Sequence, residues 1–268
     1  MVGEDPMRGM VLRTIFAFPI LLTGVIIFKG FNHLKLYFSH DLFPYVILTA
    51  LLIVIGDGAF LFSLKTYDVS QILPIASVYP LFTTLILVST GTEPVSTQIY
   101  FGTAVIIVGV AIVTGSKGKS RFSPKTVIYG IFIGLCWGSS IFFVRKILAD
   151  PRTNPFALTG IRTLFMGIFG LLIYLVKSNQ VKKVKRDKGE IQNSIKFLAL
   201  SGITGWVLGA SLFFVAVQRI GAAIPTPITS TNPVFAGIVG TYLHLEQVNW
   251  VQFVGIICTV IGTIIIVM

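Results

Sequence analysis

The stretch Pro74-Ile75-Ala76-Ser77-Val78-Tyr79-Pro80-Leu81-Phe82 returns as Pro227-Ile228-Thr229-Ser230-Thr231-Asn232-Pro233-Val234-Phe235, at an offset of 153 residues. The offset holds without a gap from 56 to 109, where 11 of 54 positions are identical to their counterparts. Chance explains shared Leu or Val between two apolar segments. It explains less well why Gly56, Phe60, Glu93, Val95, Gly102 and Gly109 are matched by Gly209, Phe213, Glu246, Val248, Gly255 and Gly262. Upstream, Asp5-Pro6 with Arg13-Thr14 resembles Asn154-Pro155 with Arg162-Thr163, at an offset of 149. The chain reads as two copies of one unit, and that constraint comes before any assignment of elements.

The apolar runs say what each copy contains. Charged residues make up 12% of the chain and apolar ones 54%, where a soluble domain carries about 25% charged residues. This is the composition of an integral membrane protein. Met1 to Pro6 is acidic, unlike the basic start of a signal peptide. The net charge of +11 does not point to nucleic acid, because seven of the 21 Lys and Arg fall between Lys177 and Lys196, beside apolar spans. Basic loops in that position are topology signals and lipid-headgroup contacts. Cys136 and Cys258 sit inside apolar runs and read as packing residues.

A helix needs roughly 20 mostly apolar residues to cross a bilayer. That ruler gives nine spans, near 11–28, 43–65, 70–90, 96–115, 126–148, 156–177, 196–218, 223–243 and 250–268. No segment alternates as a barrel strand does, so the expected fold is all-α and polytopic. The first repeat, 1–115, holds four spans; 116–125 is a linker; the second repeat, 126–268, holds five. The span missing from the first repeat is the partner of 126–148, so a lost first helix is expected there. Because five is odd, consecutive five-span units face opposite ways, which is the inverted repeat recurrent in secondary transporters.

Trp137-Gly138-Ser139-Ser140, Pro155 followed by Arg162, the Pro–Ser–Asn–Pro helix and the Glu that closes it resemble the EamA-type branch of the drug/metabolite transporter superfamily. The resemblance implies ten helices in two inverted halves, a central cavity, and export or exchange of small metabolites such as amino acids or drugs. Sugar-nucleotide or phosphorylated-sugar translocators of the same superfamily are an alternative, and a non-transporting membrane scaffold or sensor is one of another class. The resemblance also places both termini of the ten-helix form in the cytoplasm, and so the 177–196 loop outside. The charge bias of the loops places that loop inside.

Candidate site residues come from polar or kinking positions inside spans. Pro74, Pro80, Pro227 and Pro233 each remove a helical hydrogen bond. The carbonyls freed in a membrane need another partner or a wet cavity. Ser77, Tyr79, Ser230, Thr231 and Asn232 lie between those prolines and suit either satisfying that backbone or touching substrate. Asp57 is the only carboxylate well inside a span, an expensive and by default functional position. By taking up and releasing a proton it would couple transport to a pH gradient; an ion pair with Lys65 is the plainer reading. Arg13 and Arg162 occupy equivalent positions, either snorkelling to the interface or meeting an anionic substrate group. Trp137 and Ser140 are cavity-wall candidates. Glu93 and Glu246 read as caps near helix starts, and Gly130, Gly134 and Gly138 as a bare face for close packing. His33, His40 and His244 lack metal-ligand spacing, and no catalytic motif or phosphate loop is present. The expectation is no catalytic residue, no metal and no cofactor. The expected partners are a small-molecule substrate and the lipid bilayer, without nucleic acid; a homodimer stays open.

Overall fold

A computed structural model describes residues 6–67, 69–115, 123–178, 188–232, 234–235 and 249–268. Every regular element among them is helical: α1 (Pro6–Lys29), the short α2 (Asn32–Lys35), α3 (Phe43–Ser63), α4 (Val69–Ala76), α5 (Tyr79–Ser89), α6 (Thr97–Gly115), α7 (Pro124–Leu148), α8 (Pro155–Ser178), α9 (Lys188–Gly202), a π-helical segment (Ile203–Ala210), α10 (Ser211–Ile220), α11 (Pro225–Thr229) and α12 (Trp250–Val267). Among the described residues six stretches are long and apolar enough to cross a membrane: Arg8–Lys29, Phe43–Ser63, Pro124–Leu148, Pro155–Val176, Asn193–Ile220 and Trp250–Val267. Large apolar side chains point outward, with Phe28 83% and Val176 80% exposed. Such a surface is tolerable only against lipid. The chain is an all-helical, multi-pass membrane protein.

The expected spans are met unevenly. The 70–90 span is two helices, α4 and α5, with Ser77 and Val78 between them. Of the 223–243 span, residues 236–243 lie outside the described residues, as do Pro233, Glu246, His244 and residues 179–187 of the expected 178–195 loop. α9 already begins at Lys188, so residues 188–195 of that expected loop are helical.

Helix starts follow local chemistry. The Ser123 hydroxyl accepts from the Thr126 N–H at 3.2 Å, one residue before Pro124. The Asn154 side chain accepts from the N–H groups of Phe156 and Ala157 at 2.9 and 3.1 Å, one residue before Pro155. A capping side chain followed by Pro at the first helical position is the favourable arrangement. Asn249 and Gln252 close a reciprocal capping box on α12.

The chain forms two compact units that do not follow the repeats. Unit one takes 1–54 and 143–219; unit two takes 55–142 and 220–268. Each unit pairs two helices whose residues match at the sequence offsets given above. In unit one α1 and α8 run antiparallel: Leu22 packs at Gly160, Thr14 at Gly167, and Met10 with Val11 at Gly170. In unit two α6 and α12 run antiparallel, with Gly102 opposite Gly262 and Gly109 opposite Gly255. A Cβ on Gly102 would lie 2.8 Å from the Gly262 carbonyl oxygen, and one on Gly262 would lie 2.8 Å from the Gly102 carbonyl oxygen. Only Gly permits two backbones this close.

In unit one the linker between α1 and α3 is tied down by a side chain the sequence reading passed over. Tyr37 is fully buried, and its hydroxyl donates to the Asn154 carbonyl at 2.7 Å and accepts from the Asn154 N–H at 2.6 Å. Burial pushes the phenol pKa up, so it stays protonated and able to donate. Tyr37→Phe leaves both backbone groups of the α8 cap without that partner. A loss of about 1–3 kcal/mol follows from an unsatisfied buried pair, read as a lower melting temperature of the purified chain in detergent. An unchanged melting temperature would contradict this role.

Candidate functional site

The polar centre of unit two is built from α3, α5, α7 and α11. Asp57 accepts a hydrogen bond from the Trp137 indole N–H at 2.9 Å. The two residues are 80 positions apart, on α3 and α7. Room for the indole comes from the preceding residue. A Cβ on Gly56 would sit 2.8 Å from Trp137 Cδ1 and 2.9 Å from its Nε1. Phe60 and Tyr79 complete the surround, with ring centroids 5.9 and 6.0 Å from that of Trp137, Tyr79 edge-on. Both spacings fall in the favourable range for aromatic pairs.

Tyr79 carries the contact onward to α11. Its hydroxyl lies 3.3 Å from the Thr229 hydroxyl and 3.4 Å from the Thr226 carbonyl oxygen, both on α11. Tyr79 is the first residue of α5, just past the interruption in its helix. Thr229 is the last residue of α11, just before the equivalent interruption at Ser230 and Thr231. α5 and α11 therefore touch at the ends where their helices are interrupted.

Two carbonyls at the break after α11 are satisfied locally. The Ser230 hydroxyl donates to the Pro227 carbonyl at 2.6 Å, and the Thr231 hydroxyl to the Ile228 carbonyl at 2.7 Å. These two side chains serve the backbone, the plainer of the roles open to them. Thr83 donates to the Gly138 carbonyl at 3.2 Å, joining α5 to α7. The three glycines of α7 form the face that receives this helix pair. Gly130 meets Ile75, Gly134 meets Ala76 and Phe82, and Gly138 meets the Tyr79 carbonyl. Ser77, Pro80, Ser140 and Pro227 are buried and Asn232 is exposed. Pro74 lies within α4.

Glu93 closes the start of the second broken helix. Its carboxylate accepts from the Ala222 N–H at 2.9 Å and the Ala223 N–H at 3.2 Å. Gly221 precedes them with φ of 82°, a conformation that other residues adopt at a cost. An added Cβ there would also strike the Glu93 carboxylate.

Arg162 belongs to unit one and has different surroundings. It is 5% exposed, so its guanidinium does not snorkel to water. Its Cζ lies 5.3 Å from the Phe214 ring centroid and 5.9 Å from that of Trp206. Arg13 approaches the same indole, Cζ to centroid 6.0 Å. Trp206 stands in the π-helical segment, a form that recurs at functional sites. Unit one also holds a cavity of about 360 Å³ with largely apolar walls, where Lys29 and Asn154 supply the polar groups.

A multi-pass helical protein with charged groups buried in its spans and paired broken helices is built as a membrane transporter is. The comparisons agree. The model of the EamA-like transporter family matches residues 2–115 and 124–268, so the chain belongs to that family. It is 25% identical over 221 residues to an uncharacterized transporter of Archaeoglobus fulgidus, covering 82% of this chain and 74% of that one. A solved crystal structure has the same fold, with a TM-score of 0.80 at 13% identity, over 98% of this chain and 88% of that one.

Proposed function

We propose that the chain is a secondary transporter of the cell membrane that exports or exchanges small metabolites, with amino acids or drug-like organic compounds as its substrate class. It works by alternating access between two inverted repeats. The observation that carries this reading is the meeting of the two broken helices through Tyr79 and Thr229. Interrupted helices at membrane depth survive only where protein buries them or a wet cavity receives them. They are also the elements from which transporters of this plan form substrate sites.

The antiparallel pairs support the inversion. In α6 and α12 the contacts are reciprocal: Gly102 meets the counterpart of Gly109, and Gly109 meets the counterpart of Gly102. Reciprocity of this kind is what a two-fold axis produces. Counterpart helices lying antiparallel cross the bilayer in opposite directions, as an inverted repeat requires.

The test is flux. Purified chain in liposomes preloaded with unlabelled amino acids is expected to accumulate the labelled form by exchange, above protein-free liposomes. A panel of amino acids and drug-like cations and anions that gives no exchange in any case would sink the reading in favour of a scaffold or sensor.

A further inference from the structure

The cavity of unit one runs along α1, from Ile20 to Lys29. Leu21 and Val25 are buried in its wall, while Ile20, Phe28 and Phe156 are exposed at its rim. In a membrane-spanning chain an exposed apolar rim faces lipid tails, so the cavity is a furrow in the lipid-facing surface. Nine residues at 1.5 Å rise make it about 14 Å long. The hydrocarbon core of a bilayer is about 30 Å thick, so the furrow is about as long as one leaflet is deep.

Gly24 opens it. The residue lines the furrow midway, and a Cβ built on it meets nothing within 4 Å. Close by, the two helices are tight: a Cβ on Gly160 of α8 would lie 2.9 Å from Leu22. The space beside Gly24 is therefore a local gap next to a close helix contact.

The two ends of the furrow differ in chemistry. The apolar span of α1 is Arg8–Lys29, which puts Lys29 where the helix leaves the hydrocarbon. Lys29 is exposed, and Asn154 lines the same cavity. The Asn154 Oδ1 serves the start of α8, accepting from Phe156 and Ala157; its NH2, on the other branch of the amide, is a donor. Among the described residues that line the furrow none is acidic. An apolar stem one leaflet long, ending in a cation and an amide at headgroup level, matches one lipid molecule in shape and charge. A small soluble metabolite has no use for the stem. A lysine at the membrane surface attracts anionic lipid over zwitterionic.

We propose that this furrow binds a single anionic phospholipid of the surrounding bilayer, with an acyl chain passing Gly24 and the phosphate at Lys29 and Asn154. The inference needs only that the chain spans a membrane, not that it transports.

The experiment uses the full chain purified in neutral detergent, with phosphatidylglycerol, phosphatidylcholine and glycerol 3-phosphate as probes. Phosphatidylglycerol is expected to raise the melting temperature in a saturable way. Phosphatidylcholine should do so less, and glycerol 3-phosphate, a headgroup without a tail, not at all. Lys29→Gln changes an exposed residue at a helix end, so the chain should fold as before; the half-saturating concentration of phosphatidylglycerol is expected to rise about fivefold, the effect of one lysine on an anionic lipid. Gly24→Leu fills the furrow and is expected to abolish the shift. If that variant does not fold, Lys29→Gln decides alone. Equal stabilisation by phosphatidylcholine, or a response to phosphatidylglycerol that neither substitution changes, overturns the proposal. So does full stabilisation by glycerol 3-phosphate, which assigns Lys29 to a free phosphate.

Discussion

Replacing Gly109 or Gly255 with leucine is expected to separate α6 from α12 and leave the chain unable to survive purification. An added Cβ at Gly109 meets the Gly255 carbonyl oxygen at 2.7 Å and the Thr259 N at 2.8 Å, and one at Gly255 meets the Gly109 carbonyl oxygen at 2.8 Å. These are backbone atoms in the middle of two helices, so no side chain is free to swing aside. Overpacking of this kind costs about 1–3 kcal/mol for a small addition, which is the expectation for Gly109→Ala. Leucine adds three further carbons to the same space and exceeds it. Melting followed by size-exclusion chromatography in detergent reads the difference. Wild-type behaviour of Gly109→Leu would mean that the two helices do not touch along these glycines. Gly24→Leu is the matched control, because nothing lies within 4 Å of a Cβ there.

The second large effect concerns transport. Trp137→Phe keeps a ring between Phe60 and Tyr79 but removes the N–H that Asp57 accepts at 2.9 Å. A hydrogen bond to a charged group is worth about 1.5–3 kcal/mol. If that bond holds Asp57 in the working conformation, exchange falls by about tenfold or more, since 1.4 kcal/mol is a factor of ten. The chain should still fold, with its melting temperature lowered by the loss of that bond. Tyr79→Phe breaks the next link, the 3.3 Å contact to Thr229, and is expected to slow exchange less, because that bond is neutral. Full exchange in both variants would place the transport path elsewhere. The pH dependence of exchange in Asp57→Asn tests the separate idea that this carboxyl carries a proton. An unchanged profile removes it.

How far the sequence disclosed this site depends on whether the cause was local. Proline removes a helical hydrogen bond wherever it falls, so a disturbance near Pro80 and Pro227 was readable from residue type. But Pro19 and Pro74 lie inside α1 and α4, so residue type alone does not say where a helix is interrupted. Glu93 was readable as a tie to a helix start for the same kind of reason, though not the helix it would choose. Its target, Ala222 and Ala223, is about 130 residues away. The link from Asp57 to Trp137 depends on how α3 and α7 pack, and nothing in either helix announces the other. Arg13 and Arg162 were legible as a pair through the repeat. Their convergence on Trp206 was not, because Trp206 has no counterpart in the first repeat at the offset of 153, where Ile53 stands. Tyr37 was missed for a plainer reason: a tyrosine in a loop rich in aromatics and lysines gives no sign that it will be fully buried. The division into two units was equally hidden. The sequence match runs along chain order, whereas the units arise because α1 packs on α8 and α6 on α12, helices far apart in the chain.

The inversion of the two copies is tested most directly at the first residues of α6 and α12. Thr97 and Trp250 are counterparts at the offset of 153, and both are exposed. In a chain with Cys136 and Cys258 replaced by alanine, Thr97→Cys and Trp250→Cys are labelled one at a time in intact cells with a membrane-impermeant thiol reagent. Opposite orientation predicts that one site reacts in intact cells and the other only after the membrane is opened. Reaction of both from the same side would contradict it.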